Sequence, residues 1–302
     1  MFDLVRDLNE LTAEIAAAVG RTYRLTPLQV KCTYPVFKGE ADGVEPVFVK
    51  VGTKEEWTRT RDLLKAIGGC GFFARFITED LIDYNGHAVF VMEWKVSRIV
   101  FPEDMNLHQL ESFVAGCETL GAALQRTRGA FRTTLPVGGT PDELYGDLLR
   151  YVSGHSVAGR LLSGLVGIPA EARTYGNRPL AVCHGDFHAK NFGFDGDSFA
   201  AVYDFDKLAD GLACSDLVNA LMERFSCFHL SRGTRRRLKG VTRRIVAAVP
   251  WPREDLVIAC NVVRLQFASR RIRKHPRSVW VALDVWRRDR ALCEFLDCLE
   301  GE

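Results

Sequence analysis

Three polar residues in the second half of the chain have the types and the spacing that phosphoryl transfer requires. Asp186, Asn191 and Asp204 lie in the segment VCHGDFHAKNFGFDGDSFAAVYDFD, which spans residues 182–206. Transfer from a nucleotide needs one carboxylate that orients the attacking hydroxyl and accepts its proton, and an amide and a second carboxylate that hold Mg²⁺ at the phosphates. The segment therefore predicts Asp186 as the catalytic base, Asn191 and Asp204 as metal ligands, and ATP and Mg²⁺ as cofactors.

The elements expected around these residues agree with that prediction. Asp186 and Asn191 are five residues apart in a polar turn, as in the H-R-D-x-x-x-x-N catalytic loop of kinases. Asp204 follows thirteen residues later, at the end of the apolar run 199–203, which predicts a short strand entered through the turn 195–197. Although HGD and DFD also suit ordinary turns, their coherent order favours a catalytic loop followed by a metal carboxylate.

The motifs HGDFHAKN and VYDFD, followed by Ser215, Asp216 and an apolar helix, resemble those of the aminoglycoside phosphotransferase and choline kinase family. The resemblance is strong over about residues 180–220 and weaker elsewhere. It implies an α+β, protein kinase-like two-lobed fold, with a small antiparallel-sheet N-lobe carrying one main helix over residues 1–94 and a larger, mostly helical C-lobe over residues 95–302. It also implies that Asp216 braces the catalytic loop.

The first third of the chain has the pattern of a small sheet with one main helix. Apolar spacing predicts an amphipathic helix over residues 1–20 and a second helix over 55–67 that ends at Gly68-Gly69. Apolar runs predict strands over 28–34, 47–51, 74–84 and 87–94, with Asn85-Gly86 as a hairpin turn. This order of elements matches the N-lobe of a kinase.

Lys50 lies in the middle of the apolar strand VFVKV and needs an anion, because an unpaired buried charge is costly. The phosphates of a nucleotide would supply it, with a helix carboxylate that holds the amine. Glu56 is the preferred carboxylate and Glu55 the second choice. In the family this glutamate usually lies about four residues before a buried leucine, and by that spacing the position would be Thr60. The alternative is an edge-strand lysine that opposes aggregation.

The strand that ends at residue 94 resembles the one that enters the hinge between the lobes of the family. This resemblance implies that Met92 lies beside the adenine of ATP. It also implies that the backbone of Glu93, Trp94 and Lys95 pairs with the edge of the base.

The glycine pattern after the first strand and the residue at position 190 depart from better-known relatives. No G-x-G-x-x-G follows the first strand, only Gly39 and Gly43, so another loop must cover the phosphates. A Walker A pattern is also missing from the sequence, which excludes a P-loop fold. Lys190 occupies a position that is usually Gly or Glu, and is either an additional cation for the transferred phosphate or a solvated lysine.

The two histidines of the loop, His184 and His188, are four residues apart, a spacing that suits zinc only on a helix. Gly185 and the turn composition argue against a helix here. We expect His184 to hold the loop by hydrogen bonding, and His188 to face either the phosphates or the backbone.

Composition indicates an intracellular protein. Nine scattered cysteines, without a C-x-x-C pair, argue for a reducing compartment and against structural zinc. Cys183 and Cys214 flank the predicted site. We favour a role as buried core residues over a role as thiols that make the site sensitive to oxidation. Charges in the first helix argue against a signal peptide, and no apolar run reaches membrane-spanning length. We therefore expect a cytoplasmic location without membrane insertion.

The C-terminal third is helical and basic. Residues 232–290 contain seventeen lysines and arginines against four acids, a net charge of +13, so the remainder of this +2 chain carries −11. Such asymmetry suggests an anionic partner attracted by Arg235–Arg237, Arg243-Arg244 or Arg270–Lys274. A phosphorylated sugar, an acidic saccharide or a lipid headgroup then fits better than a polycationic antibiotic. The alternative is a solvated helix surface, and no nucleic-acid motif accompanies the clusters.

Together these patterns predict a kinase that transfers the γ-phosphoryl group of ATP to a hydroxyl of a small molecule. A protein kinase is the first alternative, but no APE-type segment or long activation loop follows Asp204. A nucleotide-binding module without catalysis is the second, although all three chemical positions are present. The acceptor, the choice between ATP and GTP, and the oligomeric state stay open.

Overall fold

A computed structural model describes residues 7–28, 34–67, 70–95, 97–129, 140–167, 175, 178–227, 229–276 and 278–300. The chain forms two compact units, one of residues 1–97 with 200–206 and one of residues 98–199 with 207–302. The lobe boundary predicted after residue 94 stays a prediction, because compactness alone does not show which residues work together in a reaction.

The first unit contains a five-stranded antiparallel sheet in the order β1-β2-β3-β5-β4. Two helices accompany it, and the elements in chain order are α1 (Leu8–Val19), β1 (Arg24–Pro27), β2 (Val36–Glu40), β3 (Val47–Gly52), α2 (Lys54–Ile67), β4 (Ile82–Tyr84) and β5 (His87–Glu93). The predicted sheet with one main helix is therefore present, and α1 adds a second helix whose N-terminus is capped by the Asp7 side chain.

The two faces of the sheet have different neighbours because side chains alternate along a strand. Val47, Val49 and Val51 are buried on one face, in an apolar core that includes Leu11 and Ile15 of α1. The residues between these valines project to the opposite face. On that face lies Lys50.

Three details of the predicted sheet differ from the structure. The strand expected over 28–34 falls mostly on residues outside the described part, and its described ends, Leu28 and Tyr34, lie outside strands. Within the run 74–84, only β4 is a strand. The hydroxyl of Thr78 accepts a hydrogen bond from Asp80 N–H, and this local turn interrupts the extended backbone. Gly39, which follows the first predicted strand, lies within β2, where a Cβ would come within 2.7 Å of Val47, so it serves close packing.

The second unit is mostly helical. Its helices are α3 (Leu107–Gln125), α4 (Pro141–Ser153), α5 (Ser156–Leu161), α6 (Ser163–Val166), α7 (Ser215–Phe225), α8 (Arg232–Ala248), α9 (Arg253–Lys274) and α10 (Val279–Glu300). Buried apolar side chains of α4, α5, α9 and α10 form one core, with Leu148, Leu265 and Val285 among them. This agrees with the helical C-terminal third that the sequence predicts.

Four short strands lie among these helices. They are β6 (Ala181–Cys183), β7 (Phe192–Asp195), β8 (Ser198–Val202) and β9 (Ala209–Gly211), and β6 pairs with β9 in an antiparallel ladder. β7 and β8 form a hairpin whose turn contains Gly196 at φ 56°, as the turn composition predicts. The chain passes from the second unit to the first within β8.

Candidate active site

Lys50 forms an ion pair with Glu56 in the first unit. Both side chains are largely buried, and Lys50 Nζ also lies 5.6 Å from the centre of the Phe90 ring. The hydroxyl of Thr53 accepts a hydrogen bond from Glu56 N–H at 3.0 Å, which places this residue in the first turn of α2. The structure thus selects Glu56 over Glu55, which is exposed, and over Thr60 as the partner of Lys50. That the pair binds a nucleotide stays a prediction.

Gly52 provides the space that Glu56 occupies. A Cβ on Gly52 would lie 2.7 Å from a carboxylate oxygen of Glu56 and 3.0 Å from the Phe90 ring. The small residue at the end of β3 therefore allows the helix carboxylate to reach back to the strand. Thr53 and Glu56 have the T-x-x-E spacing of a capping box, but the Glu56 side chain pairs with Lys50.

The residues predicted to contact adenine lie at the end of β5. Met92 pairs in register with Phe48, and Glu93 N–H donates to the carbonyl oxygen of Arg75 at 2.8 Å. Because this N–H is already engaged, a hydrogen bond between the Glu93 backbone and adenine would use the carbonyl oxygen of Glu93. Trp94 and Lys95 are partly exposed, with Lys38 Nζ 5.5 Å from the Trp94 ring and Lys95 Nζ 3.1 Å from the carbonyl oxygen of Gly71. Adenine recognition by these residues stays a prediction.

Asp204 belongs to the segment 200–206, which packs within the first unit. Val202 N–H donates to Phe72 O at 3.0 Å, and the Phe205 ring meets Phe73 edge-on at 5.0 Å. The hydroxyls of Tyr203 and Ser97 are 2.6 Å apart. Asp204 itself has φ 62°, a left-handed conformation that aspartate tolerates better than most residues. Such backbone strain is common at functional sites.

A cavity of about 220 Å³ lies beside α2, lined by Thr53, Glu55, Glu56, Arg59, Thr60, Leu63 and Phe205. It is smaller than the roughly 300–1,000 Å³ of sites for small molecules. We interpret it as a packing gap next to the Lys50–Glu56 pair.

The catalytic loop between β6 and β7 is held by its own polar groups. Asn191 is buried, and its Nδ2 donates to the carbonyl oxygen of Asp186 at 2.9 Å. Asp186 N–H donates to Nδ1 of the buried His184 at 3.3 Å, so His184 holds the loop as predicted. Nδ1 of His188 accepts from Lys190 N–H at 3.3 Å, so one ring nitrogen contacts the backbone, and whether His188 also faces the phosphates stays open. The Lys190 side chain is exposed, in agreement with a solvated lysine.

Asp216, in the first turn of α7, ties the start of this loop to the helix. Its two carboxylate oxygens accept hydrogen bonds from the backbone N–H groups of His184 at 2.7 Å and Gly185 at 3.1 Å. Burial raises the pKa of the Asp216 carboxyl, while these bonds and the nearby His184 lower it. This is the brace that the resemblance implies.

Aromatic rings pack beneath the loop and support it from the side opposite to solvent. Phe187 and Phe192 are fully buried, their ring centres 5.0 Å apart, and both contact Phe113 of α3. Phe199 completes the cluster against Phe192 at 5.8 Å. The apolar residues between the polar ones in the motif thus anchor the loop.

Lys207 is a basic residue near Asp186 that the sequence did not predict. Lys207 Nζ donates to Asp186 Oδ2 at 2.5 Å, and Nε2 of His188 lies 3.8 Å from the same oxygen. Desolvation lowers the pKa of the Arg270 guanidinium on α9, and the charge of Asp186 offsets part of this shift. No sequence signal placed Lys207 beside the loop, because its approach to Asp186 depends on tertiary structure.

Many other residues of the basic stretch already have carboxylate partners in the second unit. Arg235 and Lys239 pair with Glu294, and Arg237 pairs with Asp104. The predicted attraction of an anion by the cluster 235–237 is therefore reduced, because two of its three arginines are neutralised by acids that lie far away in sequence.

The oxygen donors of Asn191 and Asp204 suit Mg²⁺, which prefers carboxylate and amide oxygens. Since Nδ2 of Asn191 is bound to the backbone, its amide oxygen is the atom that a cation would bind. In the described part of the chain, no group of three or more His, Cys, Asp or Glu side chains could hold a metal by itself. That Asn191 and Asp204 bind Mg²⁺ stays a prediction.

The cysteines near the loop are core residues. Cys183 and Cys214 are buried free thiols, and burial raises the pKa of Cys183 well above its usual value and that of Cys214 to about 12. Buried, protonated thiols react slowly, which favours the core role over an oxidation-sensitive one. Among the helices that the structure describes, none has the length and apolar character needed to cross a membrane.

Comparisons with known proteins agree with this arrangement. The model of the phosphotransferase enzyme family (APH) matches residues 53–240, more than half of the chain. A search of curated proteins found no significant match.

Solved structures show the same fold at low sequence identity. An aminoglycoside phosphotransferase from Alicyclobacillus acidocaldarius has a TM-score of 0.55 and 14% identity, over 94% of this chain and 96% of that one. An amicoumacin kinase in complex with AMP-PNP and Ca²⁺ has a TM-score of 0.57 and 12% identity, over 95% and 93%. A choline kinase from Cryptosporidium parvum has a TM-score of 0.55 and 11% identity, over 97% and 95%.

The predicted fold class, a protein kinase-like α+β fold with an antiparallel sheet followed by a mostly helical part, is confirmed. The predicted family is confirmed by the family model, whose match includes Lys50's partner Glu56 and the whole catalytic loop. The chain belongs to the phosphotransferase enzyme family.

Proposed function

We propose that the protein catalyses Mg²⁺-dependent transfer of the γ-phosphoryl group of ATP to a hydroxyl of a small molecule. The observation that carries this proposal is the loop of Asp186 and Asn191, held by Asp216 on one side and by buried phenylalanines on the other. Enzymatic phosphoryl transfer depends mainly on such fixed positions. The amicoumacin kinase, which is similar in fold, binds AMP-PNP and Ca²⁺.

In this mechanism Asp186 accepts the proton of the acceptor hydroxyl. The hydroxyl oxygen forms a bond to the γ-phosphorus, the bond from the γ-phosphorus to the bridging oxygen breaks, and ADP leaves. Lys207 engages Oδ2 of Asp186, so Oδ1 is the oxygen that would take the proton. Lys50, held by Glu56, would bind the α and β phosphates.

Asn191 and Asp204 would hold Mg²⁺, which when bound neutralises the charge of the phosphates. Met92 and the backbone of Glu93, Trp94 and Lys95 would hold the adenine. We place the protein in the cytoplasm, where ATP is abundant and the eight described cysteines would stay free. The charge of the basic stretch favours an acceptor that carries an anionic group.

The proposal is tested by measuring ATP consumption with a panel of neutral, cationic and anionic hydroxyl compounds. Asp186→Asn should lower turnover by roughly 10² to 10⁴, the usual contribution of a positioned base, while the melting temperature stays near that of the parent. Chelation of Mg²⁺ should stop turnover.

Asp195→Asn is the matched control, because Asp195 is an exposed carboxylate at the end of β7 in the same unit. It should retain the parent's turnover. Equal turnover of the Asp186→Asn variant and the parent would remove Asp186 from the mechanism.

A further inference from the structure

Lys207 and Asp186 are brought together by the backbone of the second unit. In the ladder of β6 and β9, Cys183 pairs with Ala209. Continued two residues past each strand, the same antiparallel register places Gly185 opposite Lys207. The two backbones are in close contact there, because a Cβ on Gly185 would lie 1.8 Å from the carbonyl oxygen of Lys207. Paired strands therefore fix the position of Lys207 beside the catalytic loop.

The side chain of Lys207 reaches one oxygen of the Asp186 carboxylate. Its Nζ donates to Oδ2 at 2.5 Å, and Nε2 of His188 lies 3.8 Å from the same oxygen. Among the residues that the structure describes, no hydrogen-bond donor contacts Oδ1. The Asp186 side chain is 20% exposed. A hydroxyl can therefore approach the carboxylate while the lysine stays in place.

Stability does not account for this pair. The Lys207 side chain is 48% exposed, and ion pairs with such exposure contribute little to the free energy of unfolding, because water screens them and two side chains are ordered. The consequence of the pair lies in the charge at the predicted base.

This charge determines which groups can accompany the reacting hydroxyl. A lone carboxylate would attract an ammonium group, and at about 4 Å the attraction would strengthen binding by roughly tenfold or more even near a protein surface. With Lys207 on Oδ2, the charges of the carboxylate and the ammonium of the lysine sum to zero. An ammonium group of the acceptor would approach both charges, and repulsion by Lys207 would offset attraction by Asp186. A neutral or anionic neighbour of the hydroxyl meets no such repulsion.

We propose that Lys207 is a specificity-determining residue that selects acceptors without an ammonium group beside the reacting hydroxyl. The hydroxyl proton passes to Oδ1 of Asp186, the hydroxyl oxygen bonds to the γ-phosphorus, and ADP leaves. Lys207 takes no part in these bond changes and acts through the charge that it places at Oδ2. This inference rests on the proposed function and specifies its substrate class.

The test compares acceptors that differ only in one amino group. ATP consumption is measured with glycerol and serinol, with glucose and glucosamine, and with ethylene glycol and ethanolamine. The parent should prefer the member without nitrogen. Lys207→Met removes the charge and nearly keeps the length of the side chain, so it should shift the ratio of the two kcat/KM values about tenfold toward the amino member. General damage to the fold would lower both values alike, and the KM of ATP should stay unchanged.

Two further variants sharpen the comparison. Lys207→Arg keeps the charge and should keep the parent's ratio. Lys65→Met is the matched control, because Lys65 pairs with Glu79 at 2.8 Å and its side chain is 54% exposed, in the first unit. It should also keep the parent's ratio. An equal shift in Lys65→Met, or an unchanged ratio in Lys207→Met, would overturn the inference.

A second measurement does not depend on turnover. In calorimetric titrations, glucosamine and serinol should bind Lys207→Met about tenfold more tightly than the parent. The gain should disappear when Asp186→Asn is added to Lys207→Met, because the carboxylate is its source. Equal titration curves for the parent and Lys207→Met, or a gain that survives Asp186→Asn, would overturn the inference. Should no acceptor be phosphorylated by the parent, the proposed function fails, and these titrations alone decide whether Lys207 excludes ammonium groups.

Discussion

At the scale of single residues, Gly185 controls where Asp186 lies. Its φ of 77° is the left-handed conformation that glycine adopts readily. A Cβ at this position would also lie 1.8 Å from the carbonyl oxygen of Lys207. The loop can therefore approach the backbone of Lys207, whose side chain reaches Asp186, only because the residue before the base has no side chain.

Gly185→Ala should lower the free energy of unfolding by about 3 kcal/mol or more, because a backbone clash is added to the cost of the left-handed conformation. Gly196→Ala is the matched control: Gly196 has φ 56°, with no heavy atom within 4 Å of an added Cβ. Its cost should be about 1–2 kcal/mol. Urea unfolding followed by circular dichroism measures both, and equal losses would contradict the predicted clash.

At the scale of elements, the end of β3 and the first turn of α2 act as one unit around Lys50. The strand alternation separates Lys50 from the valines of the core, and Thr53 fixes the first turn of the helix. Gly52 leaves room for Glu56 to reach the lysine. The ion pair therefore depends on strand, connection and helix together.

Glu56→Gln should weaken binding of an ATP analogue about tenfold, or by about 1.4 kcal/mol, because Lys50 loses the carboxylate that holds it. Gly52→Ala should have a similar effect, since its Cβ would displace the Glu56 side chain. Fluorescence titration measures the dissociation constants. Glu55→Gln is the control and should bind like the parent, so a tenfold loss in that variant would show that our choice of glutamate is wrong.

At the scale of the whole molecule, buried thiols link stability to pH. Cys117, Cys183, Cys214 and Cys260 are buried in the second unit, and burial raises the pKa of each. A raised folded-state pKa means that the native state holds the proton more tightly than the unfolded state. The stability from each thiol is therefore complete below the unfolded pKa, about 8.5, and is lost as the pH rises above it.

We expect the free energy of unfolding to fall above about pH 8.5, by up to about 1.4 kcal/mol per pH unit for each buried thiol. Cys260→Ala should remove one such contribution from the slope, and the partly exposed Cys70 provides the control variant Cys70→Ala, with the parent's slope. Urea unfolding in a non-thiol reductant between about pH 7.5 and 10 measures this. An identical slope in the parent and in Cys260→Ala would contradict the prediction.

Long-range ion pairs also act at this scale. The sequence shows a basic C-terminal stretch and an acidic remainder, and the fold brings the two together. Asp147 pairs with Arg273, and Asp104 pairs with Arg237. Much of the asymmetry is thus compensated within the second unit.

The sequence by itself determined the features that depend on neighbours in the chain. The spacing of Asp186 and Asn191 predicts a loop, because both residues belong to one turn, and the turn at Gly196 and the helix that begins at Ser215 follow from local composition. Periodicity likewise predicts α2 and β5, since the burial of alternate or helically spaced residues leaves its pattern in any short stretch.

Only the tertiary structure decided which distant residues meet. Glu55 and Glu56 were both compatible with Lys50, because the phase of α2 relative to β3 depends on packing and on the space at Gly52. The approach of Lys207 to Asp186 has no sequence signal, since the two residues lie on separate elements. A pattern in the chain reports which face of an element is buried, but the neighbour of that face is set by the way the elements pack together.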